Sequence, residues 1–236
     1  MKIYSLITAR SGSKGLKDKN IYPVNKIPLI VYTIKASLSS KYIEKTFVST
    51  DSKKYANLCT NYGANVPFIR PKEISKDQSK DFEVFDHFVK KMKLVNDCPD
   101  LIIHLRPTSP HRPDGIIDKC ITNFLKSYNN FDSARSITQV DNRYLKSCLI
   151  NEDNLITPIF NLDKNNPLKI WQQQRQNLPN IFKTDGRVDI IKKSTIEKNS
   201  LHGKKCYGFD TKLPLIDIDS KSDIVKFKQI LEMKID

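Results

Sequence analysis

Between Arg10 and Asn20 the chain carries Arg10, Lys14, Lys17 and Lys19 spaced around Gly12 and Gly15. Small residues let backbone N–H groups approach an anion, and the cations offset the charge of a polyphosphate and of a phosphoryl-transfer transition state. The pattern is neither GxxxxGK[ST] nor a three-glycine dinucleotide fingerprint, so those two phosphate-binding classes are excluded. Near the other end, Asp217-Ile218-Asp219 puts two carboxylates on one side of an extended segment, because side chains alternate with period two. Paired hard oxygens suit Mg²⁺, which takes one or two carboxylates and fills its shell with phosphate and water. A helix N-cap is the other use of such a carboxylate, and spacing alone leaves both open.

These groups need a scaffold, and the hydrophobic pattern supplies one. Short apolar runs alternate with helical ones, which predicts βαβ units and an α/β fold with a mostly parallel sheet. Strands are expected at Ile3–Ile7, Thr46–Thr50, Asn65–Ile69, Leu101–Leu105, Ser133–Ile137, Val188–Ile191 and Leu215–Asp219. Helices are expected from Pro28, over Lys53–Tyr62 with Gly63 as the stop, and over Asp81–Val95 and Pro113–Lys126. A short helix near Ser194–Asn199 and a last one capped by Ser220 and Asp223 complete the set. From about 138 to 183 the periodicity is lost and Asn, Asp and Pro are frequent. So long an excursion inside one domain, here 1–236, is functional or an interface; it reads as an insertion that reaches a partner subunit. In an open parallel sheet ligands sit beyond the C-terminal strand ends, where the Arg10–Asn20 loop, the Arg106–Arg112 loop and Asp217/Asp219 all fall.

Composition narrows the classes. The length of 236 residues with 39% hydrophobic residues supports one well-cored domain. The five cysteines, Cys59, Cys98, Cys120, Cys148 and Cys206, form no CxxC pair, which speaks against a disulfide framework or structural zinc. The four histidines show no paired metal spacing, and His87 reads as a partly buried structural residue. Trp171 and the aromatics of the Asp81–Val95 helix read as core or interface. There is no signal-peptide pattern and no run of about 18 apolar residues, so a cytoplasmic protein without a membrane partner is expected. The net charge of +14 is spread along the whole chain, with no block of five like charges. No nucleic-acid-binding signature accompanies it, and anionic small substrates account for part of the excess.

The loop from Ala9 through Arg10, Ser11, Gly12, Ser13, Lys14, Gly15 and Leu16 to Lys19-Asn20 resembles the signature loop of the acylneuraminate cytidylyltransferases, the CMP-sialic acid synthetases. The resemblance continues in order through Val48-Ser49-Thr50-Asp51, Ile69-Arg70-Pro71 and Leu105-Arg106-Pro107-Thr108-Ser109-Pro110-x-Arg112. It then reaches Arg175-Gln176-x-Leu178-Pro179, Asp185-Gly186 and Ile216-Asp217-Ile218-Asp219, and so spans nearly the whole chain.

That resemblance implies a three-layer, Rossmann-like nucleotidyltransferase, a homodimer through the inserted segment, and Mg²⁺-dependent transfer of CMP from CTP to an acidic nine-carbon sugar. It implies that Ala9, Arg10, Ser11, Gly12, Ser13, Lys14 and Asn20, with Arg70, Ser79 and Thr108, bind the nucleotide. Arg10, Lys14 and Lys19 would be catalytic; Arg106, Lys146 and Arg175 would face the sugar; Asp217 and Asp219 would hold the metal. Arg106 stands where sialic-acid enzymes commonly carry glutamine. Asp185-Gly186-Arg187-Val188-Asp189 replaces a more usual Asn-Gly followed by an aromatic residue. The Val-Asp-Ile form resembles the branch acting on di-amino nonulosonates such as legionaminic acid. Enzymes for the eight-carbon acid Kdo carry Ser-Thr-Arg-Leu-Pro-Gly-Lys in the first loop, which is missing here. A non-catalytic nucleic-acid-binding protein is the distant alternative.

Overall fold

Ile3–Thr8 forms the first strand, β1, in the computed structural model, which describes residues 1–161, 163 and 165–233. Its alternation is what a strand buried on both faces requires: Ile3 and Ile7 point to one side, Tyr4 and Leu6 to the other. A two-strand ribbon follows, Pro23–Val24 (β2) and Ile27–Pro28 (β3), turned by Asn25 and Lys26 at positive φ. Pro28 then opens α1, Leu29–Leu38. Next come β4 (Lys45–Ser49), α2 (Lys53–Asn61), α3 (Asp81–Leu94), β5 (Leu101–His104) and α4 (Ile116–Lys126). The chain continues through β6 (Ser133–Val140), β7 (Cys148–Ile150), β8 (Ile156–Pro158), α5 (Lys169–Gln172) and β9 (Ile181–Lys192). It ends with α6 (Lys193–Glu197), β10 (Cys206–Asp210) and α7 (Lys221–Glu232).

The main sheet has the order β10-β6-β9-β5-β1-β4. β1 pairs in parallel with β4 and β5, and β10 with β6, while β9 runs antiparallel to β5. On one face α1, α2 and α4 pack through Ile30, Ile34, Tyr55, Ile121 and Phe124. On the other, α3 lays Phe85, Phe88, Val89 and Met92 over Tyr4, Leu6, Phe47 and Ile102. The architecture is therefore a mostly parallel sheet between two helical layers.

Several boundaries move for local reasons. α4 starts at Ile116 rather than Pro113, because Gly115 sits at φ 75° as its cap. β9 is far longer than Val188–Ile191. Asn65–Ile69 makes a single bridge, Phe47 to Asn65, and no strand. The expected strand Leu215–Asp219 does not form either. Its backbone joins no ladder: Ile218 N–H donates to the Thr108 carbonyl at 2.8 Å and Asp219 N–H to Asp223 Oδ2 at 3.3 Å. The period-two alternation survives all the same: Ile216 and Ile218 are buried with Leu16, Leu29 and Phe227, while Asp217 and Asp219 face outward. The last sheet strand is instead β10, whose interior Gly208 weakens the pattern. Ser220 caps α7, with Asp223 accepting from its N–H and hydroxyl at 3.0 and 2.7 Å.

The chain divides into two compact units, Met1–Ile137 with Thr184–Asp236, and Thr138–Lys183. The second holds the β7–β8 hairpin and a small cluster of Leu145, Ile170 and Leu178, against which Trp171 packs. Leu149, Ile150 and Leu155 stand exposed on that hairpin. All five cysteines are free: Cys59 and Cys120 are buried, Cys98 is half-buried, and Cys148 and Cys206 are exposed. His87 stacks edge-on against Phe68 with centroids 5.0 Å apart. Among the described residues no helix is long and apolar enough to cross a membrane.

Candidate active site

The C-terminal ends of β1 and β5 open into a cleft of about 480 Å³ in the first unit. Its wall begins at Thr8 and Arg10, which share one side of the extended chain because Ala9 between them is buried, its N–H donating to the Ser49 carbonyl at 3.0 Å. The loop beyond is held by its own side chains. Ser11 gives both N–H and hydroxyl to Asp51, each at 2.7 Å. Gly12 adopts φ 75°, a conformation other residues rarely take. Buried Asn20 donates to the Arg10 carbonyl at 3.0 Å, and Tyr55 and Lys54 fix Asp18 at the far end.

This loop meets the C-terminal acidic segment. Leu16 is buried with Ile216 and Ile218. A Cβ on Gly15 would lie 3.1 Å from the Asp219 carbonyl oxygen, so the two backbones are in close approach. Lys19 Nζ is 2.7 Å from Asp219 Oδ1.

Ser13, Lys14, Lys19, Asn20, Arg70, Ser79, Arg106, Thr108 and Asp219 join Thr8 and Arg10 on the cleft wall. Ala9, Ser11 and Gly12 shape the loop from behind. Asp217 is exposed but lies off the wall. Lys146 and Arg175 belong to the second unit. There Lys146 Nζ donates to the Trp171 carbonyl at 3.2 Å, and the Arg175 carbonyl accepts from Asn142 Nδ2 at 3.1 Å. Asp185 and Arg187 are buried and do not line the cleft wall. Arg187 Nη1 reaches Asp185 Oδ2 at 2.5 Å, and Arg112 donates to the Arg187 and Arg106 carbonyls at 2.8 and 2.9 Å. Burial pushes the Arg112 guanidinium down to about 9, which still leaves it charged at neutral pH. Arg187 and Asp185 are paired and Arg112 is held by hydrogen bonds to carbonyls and the Thr33 hydroxyl, as buried charges require, and together they anchor the loop that presents Arg106 and Thr108.

Sequence reasoning missed several wall and support residues. Asp77 bridges Arg10 Nη2 at 2.5 Å and Lys14 Nζ at 2.6 Å, and both cations hold its carboxyl below the usual range. Asp81 accepts from Arg106 at 3.2 Å. Behind Thr8 lies buried His104, whose Nε2 is 3.0 Å from the threonine hydroxyl. His104 in turn faces Asp189. Only Thr8 carried a sequence signal, since period two puts it on the same side as Arg10.

Six cations on the wall, Arg10, Lys14, Lys19, Arg70, Lys76 and Arg106, face three carboxylates, Asp77, Asp81 and Asp219. The cleft is thus built for a polyanion, and cations in a shared concave wall focus their field on it. Burial lowers the Arg70 guanidinium from its usual value, while its Nε donates to Ser75 Oγ at 3.0 Å.

A divalent ion fits one place in this wall. Asp219 offers an exposed carboxylate beside the cationic loop, and the helix-capping role falls to Ser220. Among the described residues no three His, Cys, Asp or Glu side chains converge as a protein-only metal cage. One carboxylate completed by phosphate and water is the coordination Mg²⁺ accepts.

The cytidylyltransferase family pattern matches residues 4–234. An N-acylneuraminate cytidylyltransferase of Escherichia coli is 30% identical over 225 residues, covering 94% of this chain and 49% of the relative. The chain therefore spans about half the length of that relative. A CMP-N,N'-diacetyllegionaminic acid synthase of Legionella pneumophila is 29% identical over 244 residues, covering 99% of this chain and 97% of the relative. A CMP:2-keto-3-deoxy-manno-octonic acid synthetase solved with CTP superposes with a TM-score of 0.71 at 12% identity, covering 99% and 100% of the two chains. That likeness shows the fold.

Proposed function

The chain belongs to the cytidylyltransferase family, and from that premise we propose that it joins CMP from CTP to a nine-carbon α-keto sugar acid of the sialic or legionaminic type. The anomeric hydroxyl attacks the α-phosphorus of CTP, its proton leaves, and pyrophosphate departs with the electrons of the broken P–O bond. Both reactants are anionic, so the protein's task is positioning and charge stabilisation.

The observation that carries this reading is the contact of the Arg10–Asn20 loop with Asp219 across one cleft, closed by the Lys19–Asp219 ion pair at 2.7 Å. In the proposal Arg10, Ser13, Lys14, Lys19 and Asn20 cradle the triphosphate. Arg70, Ser79 and Thr108 complete the nucleotide site, and Arg106 receives the sugar acid. Asp219 would hold Mg²⁺ together with the phosphates, and Asp217, exposed two residues before it but off the wall, is assigned to the same ion; when bound, the ion would supply positive charge to the phosphates. Lys146 and Arg175 of the second unit are assigned to the sugar as well. The exposed apolar hairpin around Leu149, Ile150 and Leu155 supports a homodimer through that unit. A cytoplasmic location, where CTP is available, belongs to the same proposal.

The likeness to the Legionella synthase over nearly its whole length, together with Arg106, supports a di-amino nonulosonate as the acceptor. The test is pyrophosphate release from CTP and Mg²⁺ with neuraminic, legionaminic and pseudaminic acids, and with Kdo. Release with a nine-carbon acid is expected. Release with none of them overturns the proposal, and release with Kdo alone replaces the acceptor.

A further inference from the structure

Asp189 on β9 is buried directly behind the cleft, paired in register with His104 of β5. A carboxylate so placed must be compensated. Arg135 Nε lies 3.1 Å from its Oδ1. Its Oδ2 lies 3.4 Å from Arg135 Nη2, 3.6 Å from Arg106 Nη2 and 3.7 Å from His104 Nδ1. Arg135 alone would neutralise it. The other two contacts lead to the cleft wall: Arg106 directly, and Thr8 through His104.

We propose that Asp189 is a positioning residue for the acceptor sugar, a single buried carboxylate that fixes the Arg106 guanidinium directly and the Thr8 hydroxyl through His104. This rests on the function proposed above and names the groups that orient its acid substrate.

The chemistry of each link is determined by its neighbours. His104 is enclosed, with Phe85 edge-on at 4.9 Å, and burial holds it neutral at pH 7 despite the opposing carboxylate. A neutral imidazole carries one proton. With Nδ1 facing a carboxylate, the proton belongs there, and Nε2 is left to accept the Thr8 O–H at 3.0 Å. The free lone pair of Thr8 then faces the cleft as an acceptor. Arg106, meanwhile, is drawn inward by Asp189 and outward by half-exposed Asp81 at 3.2 Å. The wall therefore offers a fixed cation and a fixed acceptor. That pair suits a polyhydroxylated sugar acid presenting a carboxylate or amide oxygen and, nearby, a hydroxyl or amide N–H.

The test is a double-mutant cycle read by pyrophosphate release, varying acceptor at saturating CTP and then CTP at saturating acceptor. Asp189→Asn is expected to lower kcat/KM for the acceptor by about tenfold or more, with KM for CTP held within about twofold. The same change made in Arg106→Gln is expected to cost less than about threefold, because only the His104–Thr8 branch is then left for Asp189 to position. Asp189→Glu should recover part of the loss. Additive losses, or equal damage to both substrates, would mean a purely structural ion pair and overturn the inference. Should Asp189→Asn fail to fold, Thr8→Val and His104→Leu form the cycle: no further acceptor-side loss in the double variant supports the relay, and additivity overturns it. A wild type inactive with every acid overturns the proposed function and this inference together.

Discussion

Lys19 and Asp219 lie 200 positions apart and meet at 2.7 Å on one wall of the cleft. The contact is not a surface accident, since apolar burial of Leu16 with Ile216 and Ile218 brings the two segments together beneath it. Removing either charge should therefore impair chemistry rather than folding. Asp219→Asn and Lys19→Ala are each expected to lower kcat about 10²-fold or more, the usual cost of one charge-stabilising group. An unchanged melting temperature beside the lost pyrophosphate release would locate the defect in the site. Unchanged kcat in both would remove these residues from the mechanism.

Asp77 makes the opposite prediction. Its carboxylate sits between Arg10 and Lys14, where it competes with any incoming phosphate. Exposed ion pairs are weak, so a triphosphate can displace it, but at some cost. Asp77→Asn should tighten CTP binding by about two- to fivefold at low salt, measured by calorimetry, with the gain shrinking as salt screens the freed cations. Weaker binding would show instead that Asp77 helps to hold the nucleotide.

Gly186 tests the support beneath the wall. Its φ is 69°, and a Cβ there would lie 2.6 Å from Ser109 Oγ and 3.0 Å from Arg106 Cδ. Neither the backbone nor the packing accepts a side chain. Gly186→Ala should destabilise the fold by roughly 1–3 kcal/mol, seen as a lower urea midpoint. It should also raise KM for the acceptor, because Arg106 is one of the groups that must shift.

How much of this could be read beforehand depends on the range of the interaction. β1, β5 and α3 were legible because apolar residues at period 2 or 3.6 report directly on local burial. The cationic loop was legible because its residue types are unusual together. β10 escaped because an edge strand with Gly208 inside it carries little apolar pattern, while Leu215–Asp219 has the alternation of a strand and no partner to pair with. Asp77, Asp189 and His104 escaped for a different reason. Each is an ordinary residue in its own segment and acquires meaning only against partners such as Arg10, Arg135 or Thr8, dozens of positions away. The Asp185-Gly186-Arg187 stretch stood out in the sequence only as a departure from the family pattern; burial makes it the anchor of the neighbouring loop.

Acid should weaken the fold earlier than carboxylate titration alone would. Burial lowers His87, His104 and His202 from their usual value. In the unfolded chain these rings take up protons below about pH 6.5, while the folded chain resists. Their contribution is thus fully present above about pH 6.5 and is lost as pH falls below it, toward the lowered folded values. Urea midpoints at pH 7.5, 6.5 and 5.5 should fall progressively, and His104→Gln should flatten that fall; a midpoint independent of pH over this span would contradict the burial of these rings.

The β7–β8 hairpin gives the last prediction. Leu149, Ile150 and Leu155 expose most of their apolar surface within one short ribbon. A two-stranded hairpin is marginal on its own, and exposed contiguous apolar groups mark an interaction surface. If a second copy covers it, the wild type should sediment at twice the mass of the 27.2 kDa chain. Leu149→Lys with Ile150→Glu should then yield a monomer, since a buried interface does not accept unpaired charges. Titrating the protein down should lower specific activity wherever the partner is needed to complete the site. A wild type that remains monomeric at tens of micromolar would assign the hairpin to another use.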